Sequence, residues 1–403
     1  MSQEGGKSEP DANEKEQRKQ KLRLGLEAMF CAQEIPSEKR TDIESDGEEV
    51  PPSITRDEDR YRQVAEAILR IDTKSKIIEI NNIRLFSVAE IELDKLTECT
   101  SLSLRKNLLH DLIPFPEDLA DRLDELDLFD NKIRKLNDFF ETVTVPGDPP
   151  TTKTLPNAYK CLTKLDLSYN QIREIGGLDS IGGTLRELYL VENKIKEVKN
   201  LDSLVNLELL ELGGNRLRAI GSGLEKLTKL KQLWLGKNKI SSIGTALHKL
   251  VSLEILSLQA NRITSVDAEN FLGAKANPNL REVYLSENGL TSVGNVRRLS
   301  TIKIIDFSFN SICSIDAEEI NPQTMPKLEE FWLTDGNIAD WEEVGKLSGF
   351  TSTLKTVYLE RNPIEEDKRY RDKVYMYLPF LVQIDSWPIV NKGNLEADRK
   401  RKA

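Results

Sequence analysis

From Lys76 onward the chain repeats one arrangement of apolar and polar positions, Leu-x-x-Leu-x-Leu-x-x-Asn followed by further spaced apolar residues, and its most regular copies lie 22 or 23 residues apart. Self-similarity at that period predicts a solenoid, in which each unit buries its apolar face only by stacking on its neighbours. Asparagines at positions 107, 131, 170, 193, 215, 238, 261, 288, 310, 337 and 362 mark the copies, preceded by a degenerate one in which Ile78, Ile80 and Ile83 take the corresponding places. Twelve short strands are therefore expected. Alternation along each strand sends Leu165 and Leu167 inward and Asp166 between them outward. Residues such as Ile195, Val198, Leu201, Leu204 and Leu207 close the coil behind the strand, and each Asn amide is placed to satisfy backbone groups at the bend.

An array exposes its apolar interior at both ends and needs caps. Tyr61 to Ile71 reads as a helix with Val64, Ala67, Ile68 and Ile71 on one face, and Tyr370 to Asp385 as a closing segment with Val374, Tyr377, Leu378 and Leu381 inward. The expected organisation is a disordered acidic tail over 1–60, the array over 61–365, a C-terminal cap over 366–390 and a basic tail over 391–403. An insertion near 139–160 stretches one spacing to 39 residues, from Asn131 to Asn170, and contains Val145-Pro-Gly-Asp-Pro-Pro150, a loop signature. Within the first tail, Glu14 to Phe30 has helical spacing of Leu22, Leu26, Met29 and Phe30. Ser45 lies among Asp42, Glu44, Asp46, Glu48 and Glu49, an acidic setting that suits an acidophilic kinase or a plain acidic linker. Arg399-Lys-Arg-Lys402 reads as an import signal or a solvated end.

A solenoid of this kind lays its strands side by side as one parallel sheet on the inner curve, so the residues between the paired leucines form a row regardless of their distance in sequence. That row reads Glu79, Ser103, Asp127, Asp166, Tyr189, Glu211, Trp234, Ser257, Tyr284, Asp306, Trp332 and Tyr358. Five of the twelve are aromatic in a chain that is 6% aromatic. The row two residues earlier adds Glu125, Glu187, Glu282 and Glu330, with Lys164 as its lysine. Large rings at exposed positions are the usual anchors of interfaces, and carboxylates around them steer basic partners.

Charge and composition narrow the classes. A net charge of -10 and a pI near 5.2 argue against binding nucleic acid or an anionic membrane and for a basic protein surface. No stretch reaches the roughly 18 apolar residues of a spanning helix, and Met1 to Asp11 is acidic and polar where a signal peptide is basic then apolar, so an intracellular protein is expected. Cys31, Cys99, Cys161 and Cys313 are far apart and suggest free thiols rather than disulfides or zinc. His110 and His248 stand apart from any nucleophile or carboxylate constellation. Neither a catalytic residue, a metal site nor a cofactor is expected.

The stretches Leu210-Glu-Leu-Gly-Gly-Asn-Arg-Leu-Arg-Ala-Ile220, Leu235-Gly-Lys-Asn-Lys-Ile240, Glu329-Glu-Phe-Trp-Leu333 and Val357-Tyr-Leu-Glu-Arg-Asn-Pro363 go beyond the repeating leucines. With the ending Tyr370-Arg-Asp-Lys-Val374, Leu378-Pro379 and Gln383-Ile-Asp385, they make residues 165–362 and the cap resemble the leucine-rich-repeat regulatory subunits of type 1 protein phosphatase, a family of mitotic suppressors. The resemblance implies an α/β horseshoe and a non-enzymatic protein that holds the phosphatase catalytic subunit on its concave face. It implies control of the phosphatase's activity, maturation or targeting, in nucleus and cytoplasm, together with a small disordered inhibitor. Carried over position by position, it implies acidic contacts at Asp166, Glu211, Asp306 and Glu330 and aromatic ones at Tyr189, Trp234, Trp332 and Tyr358. Tyr189 and Trp234 stand where the family has phenylalanine. The row itself adds Tyr284. Lys303-Ile-Ile-Asp-Phe307 fits a short phosphatase-docking peptide, but Ile305 and Phe307 take inward repeat positions and a buried strand cannot dock as a peptide. The alternative is an adaptor of the same fold for another basic partner, cytoskeletal or ribonucleoprotein.

Overall fold

The computed structural model describes residues 54–136, 139–145, 151–154, 159–271 and 275–389. The Glu14–Phe30 helix, Ser45 and the basic C-terminal run lie outside them.

The expected repeat strands are all present, each of three residues: β1 Ile77–Glu79, β2 Ser101–Ser103, β3 Glu125–Asp127, β6 Lys164–Asp166, β7 Glu187–Tyr189 and β8 Leu209–Glu211. They continue as β9 Gln232–Trp234, β10 Ile255–Ser257, β11 Glu282–Tyr284, β12 Ile304–Asp306, β13 Glu330–Trp332 and β14 Thr356–Tyr358. All pair parallel and in register, so that Asp166 lies beside Tyr189, Tyr189 beside Glu211 and Glu211 beside Trp234. The middle residue of each repeat strand is buried, as Leu165, Leu188 and Leu233 are, because the alternation of a strand turns it into the coil. One apolar core runs unbroken from Val64 to Ile384.

The bend after each strand is held by asparagine. Asn215 donates through Nδ2 to the carbonyls of Leu190 (2.8 Å) and Leu212 (3.1 Å) and accepts at Oδ1 from the Ile195 amide (3.0 Å), tying two turns together. The residue just before the asparagine is left-handed in turn after turn, for example Tyr169, Glu192 and Lys237 (φ 57°, 51° and 54°), a local strain that the amide ladder supports. At one turn the expected marker is wrong. Asn337 is exposed, and the ladder position, three residues after the inward Leu333, is Gly336. A Cβ there would meet Asn362 Oδ1 at 2.9 Å and the Ile312 carbonyl at 3.2 Å, so close approach of the next turn excludes a side chain and interrupts the ladder.

The N-terminal cap starts earlier than the composition suggested. Helix α1 (Ile54–Leu69) takes in residues 54–60 of the stretch expected to be disordered. The reason is Arg60, one of the charged residues that made the stretch look solvated. It is buried, pairs with Glu90 at 3.0 Å, donates to the Arg84 carbonyl and lies against the rings of Tyr61 and Phe86. Glu90 in turn accepts from the Phe86 and Ser87 amides.

The insertion is more than a loop. β4 (Thr142–Val145) and β5 (Thr151–Thr154) form an antiparallel hairpin, and the Pro-Gly-rich stretch lies between them, outside the described residues. β-Branched residues on both sides of the turn favour this pairing. Phe115, Phe139, Phe140 and Tyr159 are buried and anchor the excursion, Phe115–Phe139 and Phe140–Tyr159 meeting edge to face and Phe139–Tyr159 tilted, while Leu126 and Leu165 on either side of it still pair directly.

At the other end a helix of one to two turns, Trp341–Gly345 (α3), precedes the last repeat strand and α4 (Tyr370–Tyr377) follows it. A four-residue helix over Glu117–Ala120 (α2) lies between β2 and β3. Val374, Leu378 and Leu381 point inward as expected, but Tyr377 does not: it is exposed and stacks its ring on Trp341, planes 12° apart, because Tyr370 takes the inward place. Asp385 closes the ladder, accepting from the Leu359 and Glu360 amides and from the Tyr370 hydroxyl. β15 (Gln383–Ile384) extends the sheet parallel to β14, and β16 (Trp387–Pro388) turns back antiparallel, so the edge is folded over instead of left open.

Candidate partner-binding surface

The inner row emerges as the register requires, and its second half becomes a continuous ridge of rings. Trp234 and Tyr284 stack with centroids 6.5 Å apart across the strand between them. Tyr284 meets Trp332 edge-on at 6.0 Å, and Trp332 meets Tyr358 at 5.0 Å. The ring tips are held by their own strands. Tyr189 donates its hydroxyl to Glu187 (2.9 Å), Tyr284 to Glu282 (2.9 Å), Trp332 its indole N–H to Glu330 (3.0 Å) and Trp234 to Gln232 (3.2 Å). In each case the acceptor lies two residues earlier, on the same face of the strand. This fixes the rings before any partner arrives and lowers the ordering cost of binding. Tyr358 instead accepts from the Gln383 amide at 2.9 Å. Burial, and then the hydrogen bond to the neighbouring glutamate, pushes the hydroxyls of Tyr189 and Tyr284 well up, so both remain donors.

The ridge has a consequence for the acids expected between the rings. Asp306, read as an exposed contact, is buried, as is Ser257. Their side chains are short and the rings of the neighbouring strands close over them, and Asp306 accepts from the Ser308 amide below (2.9 Å). Asp306 therefore supports the rings instead of presenting its carboxylate. Glu330 keeps its place on the inner curve but is engaged by Trp332.

Two carboxylates of the row, Asp166 and Glu211, are left to meet a partner in the first half. Burial raises the Asp166 carboxyl above its usual range, against the Ser168 bonds that lower it. Burial, and then the charge of Asp166, raises Glu211, whose carboxylate has neither a hydrogen bond nor an ion pair among the described residues. Two half-buried acids flanking Tyr189, one of them unpartnered, favour an incoming cation that would restore their solvation.

The acidic reading missed one cation. Arg105 reaches onto this face, bonds Asp127 at 2.9 Å, comes within 3.9 Å of Asp166 and lies 4.0 Å over the Phe129 ring. Phe129 packs on the half-exposed Tyr169 at 4.8 Å, and farther along the same edge Phe309 is exposed beneath Arg361. Carrying the strand alternation two residues beyond Ser103 and Asp127 places Arg105 and Phe129 on the inner face, a signal present in the sequence. Lys303–Phe307 behaves as expected, with Ile305 and Phe307 fully buried.

Comparison with known proteins agrees with this architecture. Leucine-rich-repeat family models match residues 205–263 and 160–178. The chain is similar to a protein of Arabidopsis thaliana named protein phosphatase 1 regulatory inhibitor subunit PPP1R7 homolog, 33% identical over 129 residues, 31% of this chain and 34% of that protein. It is also similar to human protein phosphatase 1 regulatory subunit 7, 47% identical over 49 residues, 12% of this chain and 13% of that one. The matched stretches thus span about a third or less of these relatives. A solved leucine-rich-repeat protein of Leptospira interrogans superposes with a TM-score of 0.52 at 24% identity, covering 73% of this chain and 74% of its own, a likeness of fold alone. The fold is a leucine-rich-repeat horseshoe, and the resemblance carried by the variable positions is to phosphatase regulatory subunits.

Proposed function

We infer that this horseshoe is a non-catalytic regulatory subunit that holds the catalytic subunit of type 1 protein phosphatase in its concave curve. The observation that carries this reading is the pre-set ridge Trp234–Tyr284–Trp332–Tyr358 lying next to the half-buried carboxylates Asp166 and Glu211, in a chain whose relatives are named as regulatory subunits of that phosphatase. The rings bury against the partner and supply most of the affinity, each worth about 2–4 kcal/mol when truncated. The carboxylates orient the partner's basic side chains and set the rate of encounter. Holding the phosphatase in this curve controls its activity, maturation or targeting in nucleus and cytoplasm, and leaves the flanks of the horseshoe for a small inhibitor.

The test is calorimetric titration of the full chain with the purified catalytic subunit, comparing wild type with Trp234→Ala/Trp332→Ala after circular dichroism shows both folded. Tight binding abolished in the double variant identifies partner and face together. No binding by the folded wild type refutes the phosphatase reading and leaves an adaptor for another basic partner, cytoskeletal or ribonucleoprotein.

A further inference from the structure

Opposite in charge to the concave face is a ribbon on the flank just past the asparagine bends. The residue after each ladder asparagine is, in six successive turns, Lys132, Gln171, Lys194, Arg216, Lys239 and Arg262. Their amides donate to the carbonyl two residues past the asparagine of the preceding turn, as Lys194 does to Ile172, Arg216 to Ile195 and Lys239 to Leu217, each at 2.8 Å. This backbone ladder holds the six side chains in line, neighbouring turns about 4.8 Å apart. Two residues further on, Arg134, Arg173, Lys196 and Arg218 form a second row, separated from the first by the buried Ile133, Ile172, Ile195 and Leu217. Neither row contains a carboxylate, and none of these cations has an ion pair among the described residues. The turns before them carry Leu108 and His110, and the turns after them Gly289 and Thr291, so the ribbon is confined to the middle of an acidic chain. Lys196, Arg216, Arg218 and Lys239 line an open groove together with Lys199 and one carboxylate, Glu197, which lies 3.7 Å from Lys199. Like charges stacked at this spacing repel, so the arrangement is best satisfied by an acidic occupant.

The same chain carries one. Asp42, Glu44, Asp46, Glu48 and Glu49 crowd eight residues with no cation among them, and α1, the next described element in the sequence, sets its Arg60 on this flank. Arg60 of α1 lies against Phe86 and lines a groove with Phe86 and His110, which hold in their turns the place that Arg134 holds in its own. Twelve residues separate Asp42 from Ile54 and can span about 40 Å, whereas the turn of Lys239 lies about 25 Å beyond that of His110. We propose that the acidic segment Asp42–Glu49 docks on the basic ribbon of its own molecule, leaving the concave face clear.

Carbodiimide coupling of the full-length chain tests this, since it joins a carboxylate to a lysine amine only when the two are in contact, and an equal mixture of unlabelled and ¹⁵N-labelled chains separates links within a copy from links between copies. The expected result is intrachain links from residues 42–49 to Lys132, Lys194, Lys196 or Lys239. They should fall about fivefold in 0.5 M salt, and likewise in the folded variant Arg216→Gln/Arg218→Gln, which removes no coupling site. The surface pair Lys231–Glu208, 2.6 Å apart, serves as the internal control. The proposal is overturned if the control pair couples without tail links, if the links run only between copies, or if the arginine variant leaves them unchanged.

Discussion

The ring of Tyr284 lies nearly parallel to that of Trp234, planes 17° apart, although a whole strand separates them. The strand between ends in Ser257, which is small enough to pass beneath. Alternation of large and small residues along the inner row is thus what makes a ridge out of separate rings.

Tyr284 belongs to the interface on this view, not only the two tryptophans. Tyr284→Ala should weaken phosphatase binding by about 2 kcal/mol. Tyr284→Phe, which keeps the stacking and loses the bond to Glu282, should lose less than about 1 kcal/mol. Calorimetry on the two variants separates the ring from the hydroxyl.

The asparagine ladder makes a contrast that sequence numbering alone would not suggest. Asn215→Ala should cost about 1–3 kcal/mol in urea unfolding by stranding buried backbone groups. Asn337→Ala, at an exposed side chain, should stay within about 0.5 kcal/mol. Gly336→Ala should destabilise by about 1–3 kcal/mol through the clash with Asn362.

Arg60 and Glu90 tie α1 to the first turns. Replacing one partner leaves the other charged and buried, so Arg60→Met should cost about 3–5 kcal/mol. Because solenoid turns couple only to neighbours, hydrogen exchange should quicken in β1 and β2 and hardly change beyond β9.

Glu211 gives a pH signature. Its carboxyl is raised in the fold, so the folded chain holds the proton more tightly than the unfolded one, and the ionised group opposes folding at neutral pH. Glu211→Gln should therefore be more stable than wild type at pH 7. The difference should shrink as pH falls through the raised pKa and vanish below about pH 4, where both states are protonated. The same variant should bind the phosphatase more weakly, showing that the side chain is kept at the expense of stability.

The horseshoe was legible because its cause is periodic: one leucine spacing fixes strand, core and the order of the inner row, and Asp166, Tyr189, Glu211 and Trp234 appear where that spacing puts them. What escaped the sequence depends on contacts between turns. Burial of Asp306 follows from the width of Tyr284 and Trp332 on neighbouring strands, and the Gly336 gap from the approach of Asn362. Arg60 looked like solvent-exposed charge because its partner, Glu90, is thirty residues away. The β4–β5 pairing was hidden behind prolines that mark its turn and say nothing of the threonines on either side.

The hairpin also shows how such a protein can change without being rebuilt. An excursion of about three quarters of a repeat leaves the β3–β6 pairing untouched, since its length is absorbed between Leu136 and Leu162 while the strands keep step. Length can therefore be gained or lost in that arc independently of the inner curve, and an engineer can use it as a port for a tag or a second binding module with the inner row left as it is.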